Sequence, residues 1–270
     1  MQLLCSTGAF SRYPDYTDYR VILQYGPQLD VDGLELMFYP MWYSNIEQIA
    51  DNLQRSGLRF PVMHTEKSIG VALGKSNSEE REQGILGFTE NCRLGSLLGT
   101  KVLVLHLWGW PDLDDHLENN LTLLSRCLDV AEHYGLTLAI ETIPCRQRDP
   151  LGNIQRAVER DNRSRVALDT EFLAQSNQLE EVFATGWLWQ SERVRHIHIK
   201  DFDGQPFTSN GLRRYLHPGE GNINFEQFFD KLKQHKYDGY ISLESSAINA
   251  NGIVDVKRLQ RSLHHIKHLL

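Results

Sequence analysis

The chain has 270 residues, of which 41% are hydrophobic and 23% are charged, as in ordinary globular proteins. Lys and Arg number 28 against 35 Asp and Glu, and the net charge of −7 argues against nucleic acid or an anionic membrane as partner, because those partners select basic surfaces. The four cysteines are scattered and neither a signal peptide nor a membrane span is visible, so we expect a cytoplasmic protein.

Short apolar runs recur along the chain and predict eight β-strands. The runs are Leu3–Thr7, Gly33–Phe38, Phe60–His64, Val102–Leu107, Leu136–Glu141, Val166–Asp169, Val194–Lys200 and Tyr240–Glu244. Most of them are apolar at consecutive positions, which is expected for parallel strands that are covered on both faces.

Amphipathic segments of helical period lie between the predicted strands. They include Asn45–Ser56, Glu79–Leu98, Asp114–Tyr134, Phe225–His235 and Val254–Leu269. Eight alternations of strand and helix predict one (β/α)8 TIM barrel that spans residues 1–270 as a single domain. A doubly wound open sheet is the rival fold, but the turn after the first strand lacks the glycine-rich fingerprint of that fold.

Polar side chains follow or end most of the predicted strands. They are Glu35, His64, His106, Glu141, Asp169, His198 and Glu244. The carboxyl ends of the strands converge in a closed barrel, and carboxylates packed together there would repel one another. A divalent cation removes that cost, so we predict that Glu141, Asp169, His198 and Glu244 bind Mn²⁺, Co²⁺, Mg²⁺ or Zn²⁺.

Each of the remaining polar residues also has an ordinary structural interpretation. His64 and His106 bind either a second metal ion or the substrate, unless they are simply hydrogen-bonded core histidines. His196 lies two residues deeper than His198, where packing is the better interpretation. Glu35 points inward near the floor of the predicted site, and we place it among the substrate-binding residues.

Six segments, from the second predicted strand to the eighth, resemble a known family. They are Asp32–Leu36, Leu138–Thr142, Val166–Thr170, Val194–Asp201, Pro218–Ile223 and Gly239–Glu244. The chain resembles the xylose-isomerase-like TIM barrel superfamily, which includes sugar isomerases, sugar epimerases and endonuclease IV. The resemblance implies one divalent metal ion on Glu141, Asp169, His198 and Glu244, with Glu141 and Glu244 also acting as acid and base.

The chain departs from this family at two places. Phe172 stands where endonuclease IV and ketose 3-epimerases have a histidine, three residues after the aspartate of the sixth strand. Residues 212–215 also lack the Asp-x-His that helps endonuclease IV to hold its third metal ion. A third metal site is therefore not expected.

The predicted site fits an enzyme that moves a proton next to a carbonyl group. A metal ion that chelates a hydroxy-carbonyl compound stabilises the enediolate left after proton removal, which gives a sugar or polyol isomerase or epimerase. Loss of a β-hydroxyl after the same step would give a dehydratase of a cyclic hydroxy-ketone. A two-metal phosphoesterase related to AP endonuclease and a non-catalytic binding barrel are further alternatives.

Loops after the predicted strands provide candidate substrate contacts. Trp108 could stack on a sugar ring, as could aromatic residues after the second strand. Lys200, Arg213 and Arg214 could bind a phosphate or carboxylate, although an exposed charge pair is the simpler interpretation of the two arginines. Dimers or tetramers are usual among the enzymes that the chain resembles, so a homo-oligomer is expected by analogy alone.

Overall fold

A computed structural model describes residues 1–11, 17–249 and 251–270. Within these residues, eight parallel strands form a closed barrel in which each strand pairs with its neighbours in chain order. The strands are β1 (Gln2–Ser6), β2 (Gly33–Met37), β3 (Val62–His64), β4 (Val102–Leu105), β5 (Thr137–Glu141), β6 (Arg165–Asp169), β7 (Val194–Ile199) and β8 (Tyr240–Leu243). The predicted TIM barrel is confirmed.

Helices flank the barrel between successive strands. In the described part of the chain they are α1 (Arg20–Tyr25), α2 (Ile46–Arg55), α3 (Ile69–Gly74), α4 (Ser78–Leu97), α5 (Leu117–His133), α6 (Pro150–Arg160), α7 (Thr170–Gln175), α8 (Glu181–Ala184), α9 (Phe225–Gln234) and α10 (Val256–Leu269). Short 3₁₀ segments cover Thr7–Ala9, Gly26–Gln28, Pro40–Trp42 and Gly186–Glu192. None of the helices described is both long and apolar enough to cross a membrane.

Local sequence signals set several helix ends. The Asn77 side chain accepts hydrogen bonds from the backbone N–H groups of Glu79 and Glu80 at the start of α4. Asp149 caps α6, which has proline at its first position, where the missing N–H costs nothing. Gly57 and Gly135, with φ of 74° and 72°, follow α2 and α5 in the left-handed region that favours glycine.

The strands bury apolar side chains on both of their faces. Their outer faces pack against the helices in one large hydrophobic core. A smaller apolar cluster, which we call the barrel plug, fills the inside of the barrel and consists of Leu4, Val62, Val102, Val104, Ala139 and Ala167. The polar residues that follow the plug along β3, β5 and β6 therefore lie above it, at the carboxyl ends of the strands.

Candidate active site

Four of the predicted metal ligands meet at the carboxyl end of the barrel. Glu141 and Asp169 end β5 and β6, His198 lies in β7, and Glu244 follows β8. Each of the four offers one donor atom, and these atoms all lie within 4.8 Å of one another. All four side chains are buried. Residues far apart in the sequence thus share one small volume because they occupy equivalent strand ends.

The chemistry of this cluster fits a divalent metal ion. Three carboxylate oxygens and one imidazole nitrogen form the kind of mixed donor set that Mn²⁺, Co²⁺, Zn²⁺ and Mg²⁺ accept. Asp169 Oδ2 is buried and accepts no hydrogen bond of good geometry, although the Lys200 ammonium lies 2.6 Å from it. Buried carboxylates this close together need a cation beside them, and a divalent ion fits the donor set. Metal binding at this cluster is supported by its geometry and stays a prediction.

Glu35 lies behind His198 and orients its ring. His198 Nε2 is 2.8 Å from Glu35 Oε1, and His198 Nδ1 is 2.8 Å from Glu141 Oε1. When Nε2–H donates to Glu35, the lone pair of Nδ1 faces the carboxylate cluster. Burial alone would lower the pKa of His198, but Glu35, Glu141 and Glu244 outweigh burial and raise that pKa well above its usual value.

His64 and His106 form a second group around Glu141. Their Nε2 atoms lie 3.0 Å and 2.7 Å from Glu141 Oε2, and the three residues also satisfy the geometry of a metal-ligand set. His64 Nδ1–H donates to the Thr65 carbonyl oxygen at 2.7 Å, so a neutral His64 turns a lone pair towards Glu141. Two acceptors this close need a proton or a metal ion between them. Burial lowers the pKa of His106 to about 4, which keeps this imidazole neutral at physiological pH.

Lys200 contributes a positive charge to the carboxylate cluster. Its Nζ lies 2.6 Å from Asp169 Oδ2 and donates a hydrogen bond of 2.7 Å to Glu244 Oε2. Burial opposes the charged form, but Asp169 and Glu244 raise the pKa of Lys200 well above its usual value. The side chain is therefore a buried ammonium that touches two predicted metal ligands.

Asp169 and Glu244 differ in how readily they hold a proton. Burial raises the pKa of Asp169, and the negative charges of Glu141 and Glu244 raise it further. Lys200 opposes this rise, and the resulting pKa of Asp169 is about 7. Burial would also raise the pKa of Glu244, but Lys200 and His198 reverse that effect and lower it to about 2. Of these two carboxylates, Asp169 is consequently the one that a proton occupies first as the pH falls.

A cavity of about 360 Å³ opens above the cluster, and Glu244 belongs to both. Met37, Phe38 and Tyr39 at the end of β2 form its apolar wall, and Lys67 and Tyr215 lie on its polar side. This volume is at the lower end of the range for pockets that bind small molecules. The sequence interpretation did not single out Lys67 or Tyr215, although Lys67 follows β3 at the end of the barrel where sites are expected.

Phe38 and Tyr39, two of the aromatic residues after the second strand that were predicted to stack on a sugar, line this cavity. The other residues predicted to contact substrate are not among those described as lining it. Glu35 and Lys200 are buried in the cluster below it, and Trp108, with 1% of its surface exposed, donates its indole N–H to the Pro144 carbonyl oxygen. Arg214 pairs with Asp203, and Arg213 pairs with Glu171. Their roles in substrate binding stay predictions.

Asp201, which directly follows Lys200, shapes the loop beside the site. Its carboxylate accepts hydrogen bonds from the backbone N–H groups of Gly219, Gly221 and Ile223. A Cβ atom on Gly221 would lie 2.4 Å from Asp201 Oδ1, so a side chain at this position would break the contact. The glycine at position 221 of the Pro218–Gly221 sequence is therefore explained by the close approach of the backbone to Asp201.

A closed eight-stranded barrel with polar residues at its carboxyl end defines the class of TIM barrel proteins. More particularly, a family model described as "Xylose isomerase-like TIM barrel" matches residues 24–268. The chain belongs to this family, as its sequence motifs predicted.

Two solved structures have the same fold as this chain. The D-allulose 3-epimerase of Methylomonas sp., solved with D-allulose, has a TM-score of 0.77 and 17% identity, with 100% of this chain and 97% of that chain covered. The apo form of 3-keto-D-glucoside 4-epimerase from E. coli has a TM-score of 0.71 and 18% identity, with 99% of each chain covered. At these identities the two likenesses establish the fold alone.

One curated relative is described as an enzyme. The inosose dehydratase of Halalkalibacterium halodurans is 29% identical over 129 residues, which cover 43% of this chain and 42% of that protein. The chain spans about half the length of the curated relatives it matches.

Proposed function

We propose that the protein is a metal-dependent isomerase or epimerase of a sugar or polyol. The observation that carries this proposal is that Glu244 lines the cavity and also belongs to the four-residue cluster. A substrate in the cavity would therefore lie directly above the donors Glu141, Asp169 and His198. Epimerases among the structural neighbours have the same fold, which supports this chemistry on the same scaffold.

The residues of the chain divide the work as follows in this proposal. Glu141, Asp169, His198 and Glu244 would hold one divalent ion, such as Mn²⁺, which would polarise the carbonyl group of the substrate. Glu244 Oε1 faces Lys67 at the cavity while Oε2 faces the cluster, so its carboxylate is placed to take a proton from the substrate. Glu141 would serve as the second proton-transfer group, and its Oε2 already contacts His64 and His106.

The proposal is tested by hydrogen exchange between substrate and solvent. A panel of ketoses and inososes is incubated in D₂O with Mn²⁺, and deuterium at the carbon next to the carbonyl group is measured by NMR. We expect incorporation with at least one substrate and none with the Glu244→Gln variant. Protein that holds Mn²⁺ but exchanges no proton in any member of the panel would contradict the proposal.

Dehydration of a cyclic hydroxy-ketone is a second candidate, which the likeness to an inosose dehydratase favours. Both reactions begin with removal of the proton next to the carbonyl group, and the dehydratase then expels a hydroxide from the neighbouring carbon. Mass spectrometry of the products separates the two reactions, because an epimerase conserves the mass and a dehydratase yields a product lighter by one water.

A two-metal phosphoesterase is a further alternative. The group of His64, His106 and Glu141 supplies a second candidate metal site beside the first, with Glu141 shared between them. The net charge of −7 counts against a nucleic acid substrate. Two bound ions per chain, together with cleavage of DNA that contains an abasic site, would favour this alternative over the epimerase.

A further inference from the structure

Lys200 occupies the gap between two of the proposed metal ligands. It follows the last residue of β7 and points into the barrel like His196 and His198, because side chains of the same parity share one face of a strand. Its Nζ lies 2.6 Å from Asp169 Oδ2 and 2.7 Å from Glu244 Oε2. An ammonium group therefore already balances the carboxylates where a metal ion would bind.

A second acceptor for this ammonium lies close by. Glu171 Oε2 is 3.8 Å from Lys200 Nζ, is buried, and has no hydrogen-bond partner. The other carboxylate oxygen of Glu171 contacts Arg213. The ring of Phe172 lies below the ammonium, with its centroid 4.4 Å from Nζ, and its face also attracts a cation. The ammonium can thus shift towards Glu171 without losing negative surroundings.

A metal ion and the Lys200 ammonium cannot both lie between Asp169 and Glu244. The donor atoms of the cluster all lie within 4.8 Å of one another, so two cations held by Asp169 and Glu244 would be close neighbours. Their repulsion is strong in a buried site, where water screens it little. A buried carboxylate left without any cation is equally unfavourable. One cation at a time is the arrangement that satisfies both conditions.

We propose that Lys200 is a resident counter-cation with two positions, one between Asp169 and Glu244 in the metal-free protein and one against Glu171 when a metal ion is bound. The inference rests on the proposed function, because it assumes that Asp169 and Glu244 bind metal. Lys200 then lowers the affinity for metal and stabilises the metal-free cluster. Glu171 makes metal binding easier because it receives the displaced ammonium.

The test is a double-mutant cycle on Lys200 and Glu171 with Mn²⁺ as the probe. We expect Lys200→Met to bind Mn²⁺ at least about tenfold more tightly than the wild type, because no buried charge must be displaced. Glu171→Gln should bind Mn²⁺ about threefold to tenfold more weakly, since the displaced ammonium then meets a neutral amide in place of a carboxylate. In the double variant the Glu171→Gln change should alter the affinity by less than about twofold, because the two residues act through one contact.

A nearby exposed lysine provides the matched control. Lys67 Nζ lies 3.9 Å from Glu244 Oε1, but its side chain is 54% exposed. Lys67→Met should change the Mn²⁺ affinity by less than about threefold, because water screens an exposed charge. Calorimetry gives the affinities, and thermal unfolding of the metal-free proteins should show a lower Tm for Lys200→Met. A merely structural role of Lys200 would also lower the Tm, but it would not tighten metal binding.

The possible outcomes separate this inference from the proposed function. Wild-type protein that binds Mn²⁺ no more weakly than Lys200→Met would overturn the role of Lys200 and leave the metal enzyme intact. Binding by Lys200→Met alone would support the role of Lys200 and contradict a metal-dependent wild type. Failure of both proteins to bind Mn²⁺ would overturn both proposals. If Glu171→Gln still changed the Mn²⁺ affinity in the Lys200→Met background, Glu171 would not be the acceptor of the displaced ammonium.

Discussion

The two halves of the barrel interior differ in character although the same strands build them. The barrel plug contains Val62, Ala139 and Ala167, all of them apolar. Two residues further along each of these strands lie His64, Glu141 and Asp169. Every second residue of a strand faces inward, so the next inward-facing residue after the apolar plug already belongs to the charged cluster. The plug stabilises the barrel by burial, whereas the carboxylates of the cluster need a cation beside them, which Lys200 supplies in the absence of a metal ion.

Substitutions in the carboxylate cluster, at the carboxyl ends of the strands, should have the largest effect, and this effect is on activity. Glu244→Gln removes the proposed proton acceptor while keeping the shape of the side chain. Turnover should fall by about 10² to 10⁴-fold, the usual contribution of a general acid or base, with the fold retained in circular dichroism. Glu226→Gln at the exposed start of α9 is the control, with unchanged turnover expected. Retained activity in Glu244→Gln would remove Glu244 from the mechanism.

The next effect is on stability, in the barrel plug. Leu4 is fully buried there, and Leu4→Ala should lower the free energy of unfolding by about 2 to 5 kcal/mol through lost burial and a cavity. Denaturant unfolding measures this loss. Because Leu4 belongs to the plug and not to the cluster, the Mn²⁺ affinity of the folded variant should stay within about twofold of the wild type. A large loss of affinity would show that the two halves are coupled.

Much of this division is readable in the sequence. The eight strands were predictable because most of them are apolar at consecutive positions, and the main differences between prediction and structure lie at the strand ends. The third strand begins at Val62 and not at Phe60, since Pro61 has no N–H to donate to the barrel. The short helix α3 within the long connection after β3 was not predicted, because six residues carry too little periodicity.

The site was predictable in part for the same reason. Glu141, Asp169, His198 and Glu244 come together because they occupy equivalent strand ends, and strand ends are visible in the sequence. The contacts between these residues and their neighbours could not be predicted from the sequence. The sequence does not show that Lys200 bends towards Asp169 and Glu244, or that Glu35 reaches His198, because side-chain rotamers depend on neighbours from other strands.

A smaller effect is expected where the cluster meets its supporting residues. Glu35→Gln keeps an acceptor for His198 Nε2–H but removes the negative charge that orients and strengthens the ligand. The Mn²⁺ affinity should fall by about tenfold, in line with other residues that support metal ligands. Calorimetry measures the change, with Leu4→Ala as the control that disturbs the interior elsewhere. An unchanged affinity would show that His198 is held by packing alone.

The smallest effect is the dependence of metal binding on pH. Asp169 has a pKa of about 7, so it is mostly protonated below this pH and mostly a carboxylate above it. A metal ion binds only the carboxylate, and it also requires His198 Nδ1 without its proton. The Mn²⁺ affinity should therefore rise with pH, by at least about threefold from pH 6.5 to pH 7.5 for the Asp169 proton alone.

Calorimetry in two buffers of different ionisation enthalpy reveals the protons released when Mn²⁺ binds. We expect Asp169 to release more protons on Mn²⁺ binding at pH 6.5 than at pH 7.5, because fewer Asp169 side chains are protonated at the higher pH. Leu4→Ala should show the same dependence, since the plug holds no titrating group. An affinity that does not change over this range would mean that Asp169 is already ionised. The Lys200 ammonium would then outweigh burial and the neighbouring carboxylates, and the cluster would store less repulsion than its geometry indicates.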